Sequence, residues 1–352
     1  MSTRKERILI VLHCLDMTGA VIAAYNLAKV LKEEGYRVFA WSESDGFMKS
    51  EFEKQGIDVV INKDVDNLCY DIAFVNTLLM GDILDKVNRE NSRIFWWLHE
   101  SPSYFLVNEN KYDRKFWQTI SDSITIVSAG EFVHDFILNR YGRESVVLNI
   151  AIEDVKYTQV PDVNNVASKD RVTFLCAASA YIPIKGQDIL ALAIANLPQE
   201  YWDKCEFFFA ADENAGKLEL FEMVLLAAKL CKNVQPFGLL EHDSLMQLMK
   251  QSDCVIVPSR EDATNTCAVE AMSMSKICIC SDMAGITKYI SDKENGYIFH
   301  SEDIQMLVEK IMYVVDKKEK QESLRKHARM TYEKYFSYNA FRQELMKIIE
   351  GK

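Results

Sequence analysis

Residues 258–272 read Pro-Ser-Arg-Glu-Asp-Ala-Thr-Asn-Thr-Cys-Ala-Val-Glu-Ala-Met, and they hold the residue types best suited to chemistry. An apolar run at 254–257 ends at Pro258-Ser259, a polar loop follows, and the spacing predicts a helix starting between Thr264 and Cys267. The first turn of a helix leaves N–H groups without intrahelical acceptors, and these favour an anion such as a diphosphate. Asp262 and Glu270 stand eight positions apart, one on the loop and one inside the helix. Ionised carboxylates only accept hydrogen bonds. Beside an anion site they suit hydroxyl groups, such as those of sugars at either end of the phosphates. Taken alone, the same two acids also fit a solvated loop and helix face.

The elements around this loop alternate. Short β-rich runs are expected as strands at 7–12, 36–41, 58–61, 71–76, 93–98, 123–128 and 145–149, and again at 172–177, 205–211, 233–236, 253–258, 276–281 and 297–299. Amphipathic stretches at 20–34, 186–197, 218–231, 243–251 and 304–315 are expected as helices, and the charged stretch 317–349 as helical throughout. Nearly continuous apolar strands between helices indicate parallel sheets covered on both faces. The polar segment 154–170, with Pro161 and few large apolar residues, interrupts the rhythm and reads as a linker. The expected fold is α/β, with two Rossmann-like doubly wound domains over 1–160 and 161–330 and a C-terminal helical segment, 331–352, crossing back to the first. Such sheets bind ligands beyond the carboxyl ends of their strands, so facing domains would place the site in the cleft between them.

Composition narrows the function classes. The chain has 352 residues, long enough for two domains, and a net charge of −11 shared by both halves, which argues against a nucleic-acid backbone as main partner. Its nine cysteines are odd in number, show no CxxC pairing, and fall largely in apolar runs, as at Cys176, Cys254, Cys278 and Cys280. They read as reduced core thiols and not as zinc ligands. No apolar run reaches the length of a membrane span, and the charged residues 1–7 lack a signal peptide's apolar core, so a cytoplasmic location is expected. The absence of GxGxxG, GxxxxGK[ST] and GxSxG removes the main support for a nicotinamide dehydrogenase, a P-loop triphosphatase and an α/β serine hydrolase.

The pattern Pro-Ser-x-x-acid-x7-Glu270-Ala-Met, then a strand, Gly285-Ile and Asn295-Gly296-Tyr, resembles the C-terminal half of retaining family 4 glycosyltransferases of the GT-B fold. Lys185-Gly186-Gln187-Asp188 and Phe237-Gly238 extend the resemblance upstream. Thr18-Gly19, Trp96-Trp97-Leu98-His99-Glu100 and Val147-Leu148-Asn149 extend it more loosely into the first half. The resemblance implies an acceptor-side first domain and a nucleotide-sugar-binding second domain. It implies retaining transfer from a nucleotide diphosphate sugar, UDP-linked donors included, to a carbohydrate or lipid-linked hydroxyl. The setting would be cell-envelope polysaccharide or glycoconjugate synthesis, at the inner membrane face where the acceptor is lipid-linked, with no metal and no further cofactor. Residue by residue, it assigns Asp262 to the donor sugar, Glu270 to the ribose and Lys185 to the phosphates. Backbone N–H groups at Thr264, Asn265 and Thr266 go to the diphosphate, Phe237 and Gly238 to the base, Gly19 to phosphate approach, and His99 to the reacting sugar.

The chain departs from the family pattern in three places. Asp262 stands where Glu is usual, roughly 1.5 Å shorter in reach, and the adjacent Glu261 is an alternative sugar contact. Ala180 replaces an arginine five residues before Lys185, and paired glycines are reduced to Gly19 alone. These departures keep open a non-catalytic glycosyltransferase-like partner subunit, with a nucleotide-sugar epimerase as a further reading. Asp64-Val-Asp66 matches a metal-binding DxD, a match that chance also produces in an acidic chain. His13 ends the first strand, while His134, His300 and His327 read as surface residues. Trp96, Trp97, Tyr104, Phe105, Tyr112, Phe116 and Trp117 read either as packed core or as an aromatic platform for an acceptor sugar or lipid.

Overall fold

The computed structural model describes residues 6–155, 167–168, 170–318 and 321–351. Of the expected linker, residues 156–166 and 169 lie outside the described residues. The chain divides into two compact units, Met1–Ala151 with Tyr338–Lys352, and Ile152–Ser337.

The first unit holds a seven-stranded parallel sheet: β1 (Arg7–Leu12), β2 (Arg37–Ser42), β3 (Asp58–Ile61), β4 (Ile72–Asn76), β5 (Arg93–Leu98), β6 (Ile124–Ser128) and β7 (Val146–Val147), in the order β3-β2-β1-β4-β5-β6-β7. The second holds six: β8 (Val172–Tyr181), β9 (Cys205–Gly216), β10 (Val234–Pro236), β11 (Cys254–Val257), β12 (Ile277–Ser281) and β13 (Tyr297–Phe299), in the order β10-β9-β8-β11-β12-β13. Each sheet reverses its winding beside its first strand, between β1 and β4 and between β8 and β11. Loops diverge at such a point and leave a crevice at the carboxyl ends. The strands are buried on both faces, β1 from Ile8 to Leu12 and β11 throughout, as their unbroken apolar runs require.

Two expectations change. Strands 172–177 and 205–211 run on together to Tyr181 and Gly216, with the register shifting between Ala177 and Tyr181. Gly216 permits this, because its φ is +94° and a Cβ there would lie 2.1 Å from the Tyr181 carbonyl oxygen. The stretch 317–349 is two helices, Glu322–Tyr335 and Tyr338–Glu350, broken at Phe336. Phe336 is buried in the second unit, and its carbonyl accepts from the Ile152 N–H (2.9 Å) instead of continuing a helix. Tyr338–Glu350 packs in the first unit, where the Tyr338 hydroxyl donates to Asn26 Oδ1 (2.6 Å) and Phe341 lies 6.0 Å from the Trp97 ring.

Five of the seven rings of the aromatic run are core, whereas Tyr104 is exposed and Phe116 half-buried. Trp96, Trp97, Phe105, Tyr112 and Trp117 are buried, Trp117 stacks between Trp96 (5.2 Å) and Tyr141 (4.5 Å), and each indole N–H finds a backbone carbonyl. An aromatic platform is thereby excluded for these five rings. All nine cysteines are free, six of them buried and Cys69 exposed. No described helix is long and apolar enough to cross a membrane.

Arg329 fastens the start of the second unit. Its guanidinium meets both Asp154 oxygens (2.7 and 2.6 Å) and Glu333 (2.7 Å) with only 9% of the residue exposed. Charged hydrogen bonds of this kind are each worth about 1.5–3 kcal/mol. Arg329→Ala is expected to lower unfolding free energy by at least that amount in urea titration, and an unchanged midpoint would refute this anchoring role.

Candidate functional site

In the second unit the loops after β8 and β11 meet at the switch point. Lys185 closes a short turn, Pro183–Lys185, after β8. Its Nζ lies 2.7 Å from Asp262 Oδ2, with the two side chains only 27% and 12% exposed. Close backbone approach makes this possible. Gly186 has φ +67°, and a Cβ there would lie 2.0 Å from the Pro258 carbonyl oxygen. A Cβ on Gly285 would lie 1.9 Å from the Ala263 oxygen, so only glycine lets the 285 turn lie against the 262–263 loop. That turn is bonded there, Asp262 N–H to the Met283 oxygen (3.1 Å) and Gly285 N–H to the Asp262 oxygen (2.7 Å).

The helix Thr266–Ser273 starts directly after this loop. Asn265 caps it from the left-handed region (φ 65°), which asparagine tolerates better than most side chains, and its Oδ1 accepts from the Ala268 N–H (3.0 Å). The Asp262 carboxylate accepts the Asn265 backbone N–H (3.1 Å) and side-chain N–H (2.9 Å) as well as Lys185. Asp262, expected to face a sugar, is therefore also the staple of its own loop. The Asn265 N–H, expected to be open to an anion, is taken. Thr266 and Cys267, the first two helical residues, have no intrahelical acceptor for their N–H groups.

Glu270 lies on the same helix, 9% exposed, and its Oε1 is 3.0 Å from His242 Nε2. Phe237 packs edge-on against Phe208 (5.2 Å) with its N–H on the Phe209 oxygen, and Gly238 adopts φ +70° beside the Glu213 carboxylate. Asn295 locks the turn before β13, accepting from the Ser291 N–H (2.7 Å) and donating to the Tyr289 oxygen (2.9 Å). Glu261 is half-buried on the loop. Two contacts carried no sequence signal. Arg260 forks onto both Asp188 oxygens (2.9 and 2.6 Å), tying the 259–262 loop to the helix after Lys185, and His242 reaches Glu270 from another helix.

In the first unit, His99 follows β5 and its Nε2 lies 2.7 Å from Asn76 Oδ1 at the end of β4. Burial pulls the imidazole down to about 3. Glu100 accepts the Leu78 N–H (2.7 Å) and the His99 N–H (2.9 Å), and burial outweighs these bonds and pushes its carboxyl up to about 7. His13, after β1, lies 3.4 Å from Thr77 Oγ1, and burial lowers it against the pull of Glu43 and Asp16. Gly19 is the first residue of the helix Gly19–Glu33, capped by Thr18, and apart from its chain neighbours and its own helix backbone no atom lies within 4 Å of where its Cβ would be. No neighbour demands glycine there. Asp64 caps a short turn through the Asp66 N–H (3.1 Å), and Asp66 pairs with Arg89 (3.8 Å), so the DxD match has structural work. His300 and His327 are exposed, whereas His134 is half-buried against Ser145.

Gly186→Ala and Gly285→Ala each force a methyl into a carbonyl oxygen. Overpacking of this kind costs roughly 1–3 kcal/mol, expected as a lower thermal midpoint, and a midpoint equal to that of the parent chain would exclude the close approach. The Glu270 hydrogen bond raises His242 above 6.5, against burial. A folded-state pKa above the unfolded one adds stability that is complete below 6.5 and is lost as pH rises through the raised value. Denaturation curves of the parent chain and His242→Gln should thus separate in acid and converge in alkali, and an offset constant with pH would count against the pair.

Residues 162–331 match the family model described as Glycosyl transferases group 1, and residues 4–125 match Glycosyl-transferase family 4. An uncharacterized glycosyltransferase of Methanocaldococcus jannaschii is 25% identical over 256 residues, 72% of this chain and 67% of that protein. The GPI3 subunit of Saccharomyces cerevisiae phosphatidylinositol N-acetylglucosaminyltransferase is 26% identical over 155 residues, 44% of this chain and 33% of that one. Anabaena HepE, solved in complex with UDP, superposes with a TM-score of 0.81 at 17% identity, over 98% of this chain and 100% of HepE, and so shares the fold. In complex with UDP-glucose, HepE gives a TM-score of 0.78 over 99% of this chain and 100% of its own. With glycosyltransferase models matching both units, and with the two doubly wound sheets shared along the whole length of HepE, the chain is a glycosyltransferase of the GT-B type.

Proposed function

We propose that the protein transfers a sugar, with retention of anomeric configuration, from a nucleotide diphosphate sugar to a hydroxyl of a carbohydrate or lipid-linked acceptor. Cell-envelope polysaccharide or glycoconjugate assembly, in the cytoplasm or at the inner membrane face, is the setting. The observation that carries this reading is the Lys185 ammonium, held 2.7 Å from Asp262 on the loop that leads into the helix Thr266–Ser273. A cation and a helix start at one switch point suit a diphosphate. UDP and UDP-glucose in HepE favour a donor of that class.

Two charges develop as the sugar–phosphate bond breaks: positive on the ring, negative on the departing diphosphate. Lys185 and the Thr266 and Cys267 N–H groups stabilise the second, with no metal or other cofactor assigned. Glu270 takes the ribose, the Phe237–Gly238 backbone takes the base, and Gly19 leaves room for the phosphates. Asp262, with Glu261 as the alternative, takes the donor sugar, and His99 the reacting ring. The leaving phosphate oxygen accepts the acceptor's proton, so attack comes from the face the diphosphate leaves.

Nucleoside diphosphates of uridine, guanosine, thymidine and adenosine, screened by thermal shift, test the reading. Ligand at about 100 times its Kd stabilises the native state by about 2.7 kcal/mol, so one base should raise the midpoint, and no shift with any base would sink the proposal. Tight binding without release of nucleoside diphosphate from any donor would instead favour the non-catalytic partner. Lys185→Ala is expected to weaken diphosphate binding and to cost about 10²–10³ in transfer rate. Because Asp262 orients both Lys185 and Asn265, Asp262→Ala should lower transfer and diphosphate affinity together. Affinity unchanged from the parent chain would limit Asp262 to the sugar.

A further inference from the structure

Asn76 ends β4 and is 1% exposed. Its Nδ2 donates to the Ala20 carbonyl (3.1 Å), the second residue of the helix that opens at Gly19, and its Oδ1 lies 2.7 Å from His99 Nε2. A carbonyl oxygen can only accept, so the amide nitrogen must face Ala20, which turns Oδ1 to the imidazole. Oδ1 is itself only an acceptor, so Nε2 must carry the proton. Trp97 packs against the ring, 4.3 Å centroid to centroid, and the His99 backbone N–H is fixed on Glu100 Oε2, which holds the main chain that carries it. Burial keeps the imidazole neutral, which leaves one proton for two nitrogens.

We infer that Asn76 is a positioning residue that locks His99 in the Nε2–H tautomer, so that Nδ1 meets the substrate as a hydrogen-bond acceptor and selects a hydroxyl there. The inference rests on the reading of His99 as a substrate contact. A donor carrying a hydroxyl at that point can give Nδ1 its proton. A carboxylate, or a fluorine in place of the hydroxyl, brings only lone pairs against a lone pair. Discrimination then comes from a mismatch of acceptors as much as from a favourable bond.

The test is a two-bond ¹H–¹⁵N correlation spectrum of the full chain labelled at histidine, with the His99 signals identified by their loss in His99→Asn. A bare Nδ1 and a protonated Nε2 are expected. In Asn76→Asp, the carboxylate stabilises the imidazolium and Nδ1 should gain a proton; in Asn76→Ala, the ring should show a mixture of tautomers. Transfer in both variants should fall by about 10²-fold, the scale of misplacing a reacting partner, while nucleoside diphosphate affinity stays little changed. A protonated Nδ1 in the parent chain overturns the inference, whether or not the variants fold, and so does a ring signature indifferent to both substitutions. If the parent chain shows the expected tautomer but neither binds nucleoside diphosphates nor releases them from a donor, the glycosyl-transfer reading fails and the tautomer assignment stands.

Discussion

The second unit's site depends on two places where backbone touches backbone with no side chain between. Gly186 lies against the Pro258 carbonyl and Gly285 against that of Ala263. These contacts bring the turn after β8, the loop after β11 and the turn after β12 into one layer. Only within that layer can an ammonium on one loop meet a carboxylate on the next at 2.7 Å. The Arg260–Asp188 fork closes the same junction from the other side, and as a bidentate pair it fixes orientation as well as distance.

The first unit solves a comparable problem with side chains. Its crevice is also at the switch point, but the strand ends are joined by hydrogen bonds: Asn76 to Ala20, His99 to Asn76, Glu100 to Leu78. Trp97, one residue before Leu98, packs at a tilt against His99 and is backed by Phe341 from the helix Tyr338–Glu350. The last helix of the chain thus supports a ring that borders a candidate site residue. Burial sets the ionisation here: it keeps His99 neutral and brings Glu100 toward neutrality despite two N–H bonds.

Strand positions were readable because parallel strands buried on both faces leave unbroken apolar runs, and 58–61, 93–98 and 297–299 match the observed limits. The extensions of β8 and β9 were not, because they depend on Gly216 admitting the Tyr181 carbonyl, a contact between residues 35 positions apart. The break at Phe336 was hidden for a related reason. Nothing in a charged helical pattern announces that one carbonyl will be taken by the Ile152 N–H.

By itself the sequence determined the α/β alternation, the loop of 258–272 with its two acids, the Lys185-Gly186 turn and the likeness to glycosyltransferases, since these are local in spacing and residue type. The tertiary structure alone decided which groups pair. Asp262 binds Lys185, His242 binds Glu270, Arg260 binds Asp188, and Asn76 binds His99. The members of each pair stand 23 to 77 positions apart. Sheet order and close backbone approach bring them within hydrogen-bond range, and hydrogen bonds and ion pairs act only at that range.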